Sequence, residues 1–355
     1  MIRLPRLGAG WLAGWRGLGR FWLAVVAIGA LGAAVLQWLG PPPPPAHPVR
    51  PIAQAGSPGL QPPRPLAAPR PPPDALPPER PPGQIADPDQ ALEEPARDGS
   101  GYLPRIAPDG RTPMQMYAGR FDRTTRLPRV ALLLAGIGLS DADSTAAVRT
   151  LPAGISLAIS PYAPSPAALL TAVRRTGHEY LLSLPMEPQG FPNNDPGPQA
   201  LMTNLGEEEN LVRLTHFLAH LGGYAGVTSA MGALRGERME AMTEQLEPIL
   251  TAIGGRGLYW VDTRTGQGAL PGVWSRSIDL VVDEPASAAD LDARLNQLAQ
   301  MAKDHGSALG LATAPRPVTI DRIAAWTVGL PARGVVLAPV SAVLRQPAQP
   351  EETAR

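Results

Sequence analysis

The 355-residue chain contains no cysteine, only five histidines and 5% aromatic residues. Without cysteine there is no disulfide, no thiolate nucleophile and no cysteine-ligated metal. The fold must be held by packing alone, which a domain of about 200 residues can manage. Basic and acidic residues balance at 31 each, so the positive excess that marks a nucleic-acid binder is missing. No Gly-x-Ser-x-Gly nucleophile elbow occurs. Gly136-Ile137-Gly138 has the start of a dinucleotide-binding turn, but Asp141 stands where the third glycine should be.

Acidic residues are also absent from residues 1–20, which carry Arg3, Arg6, Arg16 and Arg20. An uncharged apolar run follows over residues 21–39, with Trp22 and Trp38 near its ends. About 20 apolar residues span a bilayer core, and tryptophans suit its two interfaces. The pattern predicts a cytoplasmic basic N-terminus (1–20) and a transmembrane helix (21–39) in a bacterial inner membrane. All that follows would be periplasmic. The run ends Leu36-Gln37-Trp38-Leu39 rather than in small residues, which argues against a cleaved signal peptide.

More than half of the 44 prolines fall between Pro41 and Leu127. Such a stretch favours extended polyproline II, so residues 40–127 read as a disordered linker. It would serve either as a semi-rigid spacer or as a tether of no fixed length. Met114 to Tyr117 is less proline-rich and offers a short apolar patch for docking. From residue 128 the pattern is α/β. Apolar runs of strand length begin near Val130, Ile155, Tyr180, Ala225, Leu258, Ile278, Ala308 and Gly334. Helical stretches lie between them, at about 140–150, 165–176, 204–221, 237–253, 288–303 and 318–328. Asn204 with Glu207 has the spacing of a capping box. Eight strands alternating with helices favour a parallel barrel over an open sheet. The domain is expected over 128–343, with a disordered tail at 344–355.

Several motifs carry a family resemblance. Gly177-His178-Glu179 precedes Pro185-Met186-Glu187-Pro188, then Asn194-Asp195-Pro196-Gly197-Pro198 and Glu208-Glu209-Asn210-Leu211. Gly226-Val227, Met231-Gly232, Asp262-Thr263-Arg264-Thr265 and Pro317-Val318-Thr319 complete the series. In that order they resemble the divergent polysaccharide deacetylase family. The resemblance implies a distorted (β/α) barrel of the polysaccharide deacetylase type and a carbohydrate substrate of the cell envelope. It also implies a divalent metal such as zinc. Such an ion needs histidine and carboxylate ligands, an open position for water and a carboxylate base. The family ends its first strand with paired aspartates, where this chain has Ala135-Gly136. The histidine before Met231-Gly232 is Ala230, the segment near the last strand reads Thr313-Ala314, and Ser183 replaces a further histidine. Scaffold motifs persist while the metal ligands do not, so no metal or other cofactor is expected. The domain reads as a pseudoenzyme that binds a glycan, peptidoglycan or an envelope protein.

Polar residues remain at the expected strand ends. Glu187 and Asp262 are the catalytic candidates should a metal-free hydrolase survive. Ser183, Glu187, Asn194, Asp195, Thr228, Asp262, Arg264 and Arg316 are candidates for binding. Asp262 with Arg264 also suits a plain ion pair, and Trp260 and Trp274 suit either sugar stacking or burial. His178 fits a structural role in a turn. His216 and His220 are four apart on a helix but lack the glutamate of a zinc-binding helix.

Overall fold

The computed structural model describes residues 22–23, 25–26 and 83–348. The chain divides into two compact units, Met1–Ala75 and Leu76–Arg355. In the first, Trp22, Leu23, Val25 and Val26 are helical and exposed. The rest of the expected span 21–39, the basic segment before it and residues 40–82 lie outside the described residues. Among the described residues no helix is long and apolar enough to cross a membrane.

The second unit corrects the end of the expected linker, because the chain is folded from Gly83 onward. A hairpin, β1 (Glu93–Pro95) and β2 (Tyr102–Pro104), pairs antiparallel with Glu94 opposite Leu103. A one-turn helix, α1 (Pro113–Met116), follows. Proline content misleads here because these prolines sit where no N–H is needed. Pro95 and Pro104 lie in a two-stranded edge pair, and Pro113 opens α1. Thr112 and Gln115 complete a capping box around it. Leu92 and Tyr117 are buried in the inner core with Leu133, Tyr259 and Val340, so this segment plugs the barrel's base.

The barrel itself begins with β3 (Arg129–Ile137), α2 (Asp141–Thr150), β4 (Ser156–Ile159) and α3 (Pro166–Thr176). It continues through β5 (Tyr180–Ser183), α4 (Glu207–Leu218), β6 (Gly226–Thr228), α5 (Glu237–Glu240) and α6 (Thr243–Gly255). Next come β7 (Tyr259–Asp262), β8 (Ser275–Ser277), β9 (Leu280–Val281), α7 (Ala288–His305) and β10 (Ser307–Ala312). The set closes with α8 (Pro317–Val328) and β11 (Val336–Leu337). All pairings are parallel, in the order β8-β7-β6-β5-β4-β3-β10-β9, with β11 beside the start of β3. β8 pairs with β7, and β9, two residues later, pairs with β10. One short stretch thus bridges the two ends of the sheet and curls it into a barrel. The strand expected at 278–282 is the two-residue β9, and β8 just before it was not expected.

Strand burial explains the apolar runs. Ala131, Leu133 and Ala135 of β3 face the barrel interior, while Val130, Leu132 and Leu134 pack outward under the helices. Below the interior, buried Glu179 gathers four donors: Gly119 N (2.8 Å), Ser156 Oγ (3.2 Å), Tyr259 OH (2.8 Å) and Ser341 N (3.0 Å). One carboxylate therefore ties the plug, two strands and the C-terminal segment together.

Three expectations of detail are corrected. Glu207 does not cap through Asn204, since Gly206 is the N-cap and supplies no side chain. The helix expected at 237–253 is broken after Glu240, giving α5 and α6. The tail expected from residue 344 is folded as far as Ala348, because Arg345 exchanges backbone hydrogen bonds with Ser275 and Ala348 N donates to Leu270 O.

Candidate functional site

The strand C-termini form the barrel mouth, and its centre is filled by small residues. Gly136 sits at the end of β3 with φ +77°. A Cβ placed there would lie 3.2 Å from Thr313 O, 3.2 Å from Pro315 Cδ and 3.4 Å from Gly232 Cα. The loops after β6 and β10 therefore close directly onto the first strand. Ala135 and Ala230 are fully buried, and Thr313 nearly so. These are the positions at which the resemblance implies aspartates and histidines. Among the described residues no group of three His, Asp or Glu side chains is placed to hold a metal ion. The side chains at this centre therefore do not fit a divalent cation.

Four carboxylates surround this closed centre, each already held by donors. Glu187, after β5, accepts from Thr203 N (2.6 Å) and Thr203 Oγ1 (2.7 Å) and pairs with Arg238 Nε (3.1 Å). Asp262, ending β7, accepts from Arg264 N (2.8 Å), Nε (3.0 Å) and Nη2 (2.6 Å). The two-residue spacing of Asp262 and Arg264 thus makes a closed bidentate pair. Asp283, after β9, accepts from Thr313 N (2.8 Å), Thr313 Oγ1 (3.0 Å), Ala314 N (3.2 Å) and Arg316 Nη1 (3.3 Å). Glu240, closing α5, is fully buried and accepts from Ser229 Oγ (2.8 Å), Thr263 Oγ1 (2.6 Å) and Thr263 N (3.2 Å). Burial, and then the charge of Asp262, push the Glu240 carboxyl up to about 7.

The expected site residues take separate places around the mouth. Ser183 and Thr228 are neighbours in register on β5 and β6. Ser183 Oγ is buried with no hydrogen-bond partner. Thr228 Oγ1 donates to Val261 O (3.0 Å) and accepts from Ala230 N (3.2 Å). Asn194 and Asp195 lie on an exposed loop and bond within it, to Gln189 O (2.9 Å) and from Gly197 N (2.8 Å). Glu187 and Asp262 share no partner, each being neutralised by its own arginine. Arg316 remains 45% exposed beside Asp283. Glu240 and Asp283 were not among the expected residues. Asp283 was discoverable as an acid directly after an apolar run. Glu240 gave no such signal, because it reads as part of a longer exposed helix until the break after α5 is known.

Among the described residues, His178, His216, His220 and His305 stand away from the mouth. His178 is buried with Nδ1 against Ile155 O (2.8 Å), and burial pulls its pKa down. His220, two residues beyond the end of α4, contacts the His216 carbonyl through Nδ1 (2.9 Å). Trp260 is fully buried, while Trp274 is 37% exposed at the opposite end of the barrel.

A family profile described as divergent polysaccharide deacetylase matches residues 132–344. The uncharacterized protein YibQ of Escherichia coli (strain K12) is 24% identical over 213 residues, covering 56% of this chain and 62% of that protein. The chain thus spans less than two thirds of that relative's length. An uncharacterized protein of Haemophilus influenzae (strain ATCC 51907 / DSM 11121 / KW20 / Rd) is 25% identical over 210 residues, 57% of this chain and 72% of its own. The crystal structure of the uncharacterized protein ATU2773 from Agrobacterium tumefaciens C58 superposes with a TM-score of 0.63 at 31% identity. It covers 68% of this chain and 99% of that one.

Proposed function

The chain belongs to the divergent polysaccharide deacetylase family, and we propose that it uses the family's barrel to bind a glycan or peptidoglycan strand of the cell envelope without deacetylating it. The observation that carries this reading is the packing around Gly136, where Thr313 O, Pro315 and Gly232 stand only 3.2–3.4 Å from the point at which a metal-binding side chain would begin. Metal-dependent deacetylation requires a cation with an open position for water. The four carboxylates of the mouth are engaged elsewhere. A metal-free hydrolase relying on Glu187 and Asp262 would first have to release Arg238 and Arg264.

Binding needs less than catalysis, and suitable groups remain. Arg316 and Arg238 keep exposed guanidinium groups beside Asp283 and Glu187, and Tyr162 offers a partly exposed ring at the rim. The basic start, the apolar run 21–39 and the proline-rich stretch support a single-pass inner-membrane protein with a periplasmic barrel. The test is calorimetry of the full chain in detergent with chitooligosaccharides and peptidoglycan fragments. The expected result is saturable binding that Arg316→Ala weakens about tenfold or more, the loss of a charge-assisted hydrogen bond. Absence of binding to every glycan, with capture of a defined envelope protein instead, would favour an interaction module and sink the glycan reading.

A further inference from the structure

Charge on the folded unit is biased by end, although the whole chain carries no net charge. The helices run back against parallel strands, so their first turns ring the mouth and their last turns ring the base. Asp141, Glu207 and Asp290 lie in first turns, whereas Arg149, Arg175 and Lys303 lie in last turns. Each suits its helix macrodipole, and together they bias the mouth rim toward acid and the base toward cations, with Arg238 and Arg316 at the mouth and Asp304 at the base as exceptions.

The loop 119–128 under the barrel sharpens this polarity. Arg120, Arg123 and Arg126 are exposed there, and Arg345 is exposed nearby, next to Leu344. None of the four guanidinium groups is in an ion pair among the described residues. The one carboxylate of the loop, Asp122, accepts from Thr124 N and Oγ1 through Oδ1. Apolar groups are exposed among these cations: Leu127 is 48% and Trp274 37% exposed. Arg123, Trp274, Met114 and Leu344 line an open pocket of about 360 Å³. The first described residue of the unit, Gly83, packs at the same end, against Gly177 in the turn before β5.

We propose that the base of the barrel is a docking surface for anionic phospholipid headgroups. Arg120, Arg123, Arg126 and Arg345 face the phosphates, and Leu127 and Trp274 enter the headgroup boundary. Unpaired cations around exposed apolar side chains form the pattern of a surface that lies on a membrane. Arginines near an anionic leaflet are drawn to it, and tryptophan suits the interface. The acidic mouth rim is repelled by the same surface, which turns the mouth outward. The proposal rests on the base alone and is independent of what the mouth binds.

The absence of native cysteine allows a single reporter. Thr124→Cys in the full chain is labelled with an environment-sensitive fluorophore, with Met242→Cys at the mouth as control. Both are mixed with phosphatidylcholine vesicles carrying a headgroup quencher, with and without phosphatidylglycerol. The expected result is quenching of the residue-124 label that depends on phosphatidylglycerol and is reversed by salt. Each Arg→Ala at 120, 123 or 126 should weaken it roughly fivefold, with unchanged circular dichroism, and the residue-242 label should stay unquenched. Equal quenching at both positions, indifference to phosphatidylglycerol, or indifference to Arg120→Glu/Arg123→Glu/Arg126→Glu would overturn the proposal. Displacement by a soluble sulfated polysaccharide as effective as anionic vesicles would also overturn it, in favour of an anionic glycan.

Discussion

Replacing Gly136 by alanine perturbs the barrel mouth at its tightest point. The backbone there has φ +77°, and holding a non-glycine residue in the left-handed region costs about 1–2 kcal/mol. The new methyl would also stand 3.2 Å from Thr313 O and from Pro315 Cδ. A backbone carbonyl and a proline ring cannot swing aside as a long side chain would, so the loop between β10 and α8 must shift. Overfilling of this kind costs about 1–3 kcal/mol. The sum, about 2–5 kcal/mol, is a large share of the roughly 5–15 kcal/mol that holds a domain. Urea unfolding followed by circular dichroism should show the midpoint fall with little change in slope. Gly136→Asp, which introduces the side chain the resemblance implies at this position, should fall similarly, and zinc should not raise its midpoint. A Gly136→Ala variant within about 0.5 kcal/mol of wild type, or a zinc-stabilised Gly136→Asp variant, would refute the packing argument.

Further outcomes follow from the buried carboxylates and the N-terminal plug. The Glu240 carboxyl is raised from 4.5 to about 7, so its contribution to stability is fully present below pH 4.5 and is lost as pH rises through about 7. Glu240→Gln should remove that decline, which unfolding midpoints between pH 5 and 8 will show. Glu179→Ala orphans the donors from Gly119, Ser156, Tyr259 and Ser341 and should destabilise by about 3–5 kcal/mol. Glu179→Gln should cost less, because three of those bonds end on one oxygen that an amide carbonyl can replace. A chain beginning at Pro128 lacks Leu92 and Tyr117 from the inner core. It should lose its cooperative thermal transition, whereas one beginning at Leu76 should keep it.

The barrel was legible because its strands are buried on both faces. Val130 to Leu134 and Ala308 to Ala312 read as unbroken apolar runs, and the structure places strands there. Apart from the apolar patch Met114 to Tyr117, which docks on the inner core, residues 83–127 were illegible because proline frequency says nothing of where each proline sits. Pro95, Pro104 and Pro113 occupy positions that demand no donor, and the burial that recruits Leu92 and Tyr117 comes from strands far along the chain. At the mouth, the Asp262–Arg264 pair could be read from its spacing, and the missing ligands from flanking motifs. The partners of Glu187 could not, since Thr203 and Arg238 arrive on different loops. Glu240 was hidden for a related reason: only the helix break after α5 turns it inward, onto Ser229 and Thr263.

Whether the closed mouth excludes metal chemistry decides between a binding barrel and an esterase. The most direct measurement is zinc content and acetate release on one preparation of the full chain, offered zinc and then peptidoglycan or chitooligosaccharides. The packing around Gly136 predicts substoichiometric zinc and no acetate above the uncatalysed background. One tightly held zinc per chain, with acetate released on each turnover, would contradict it.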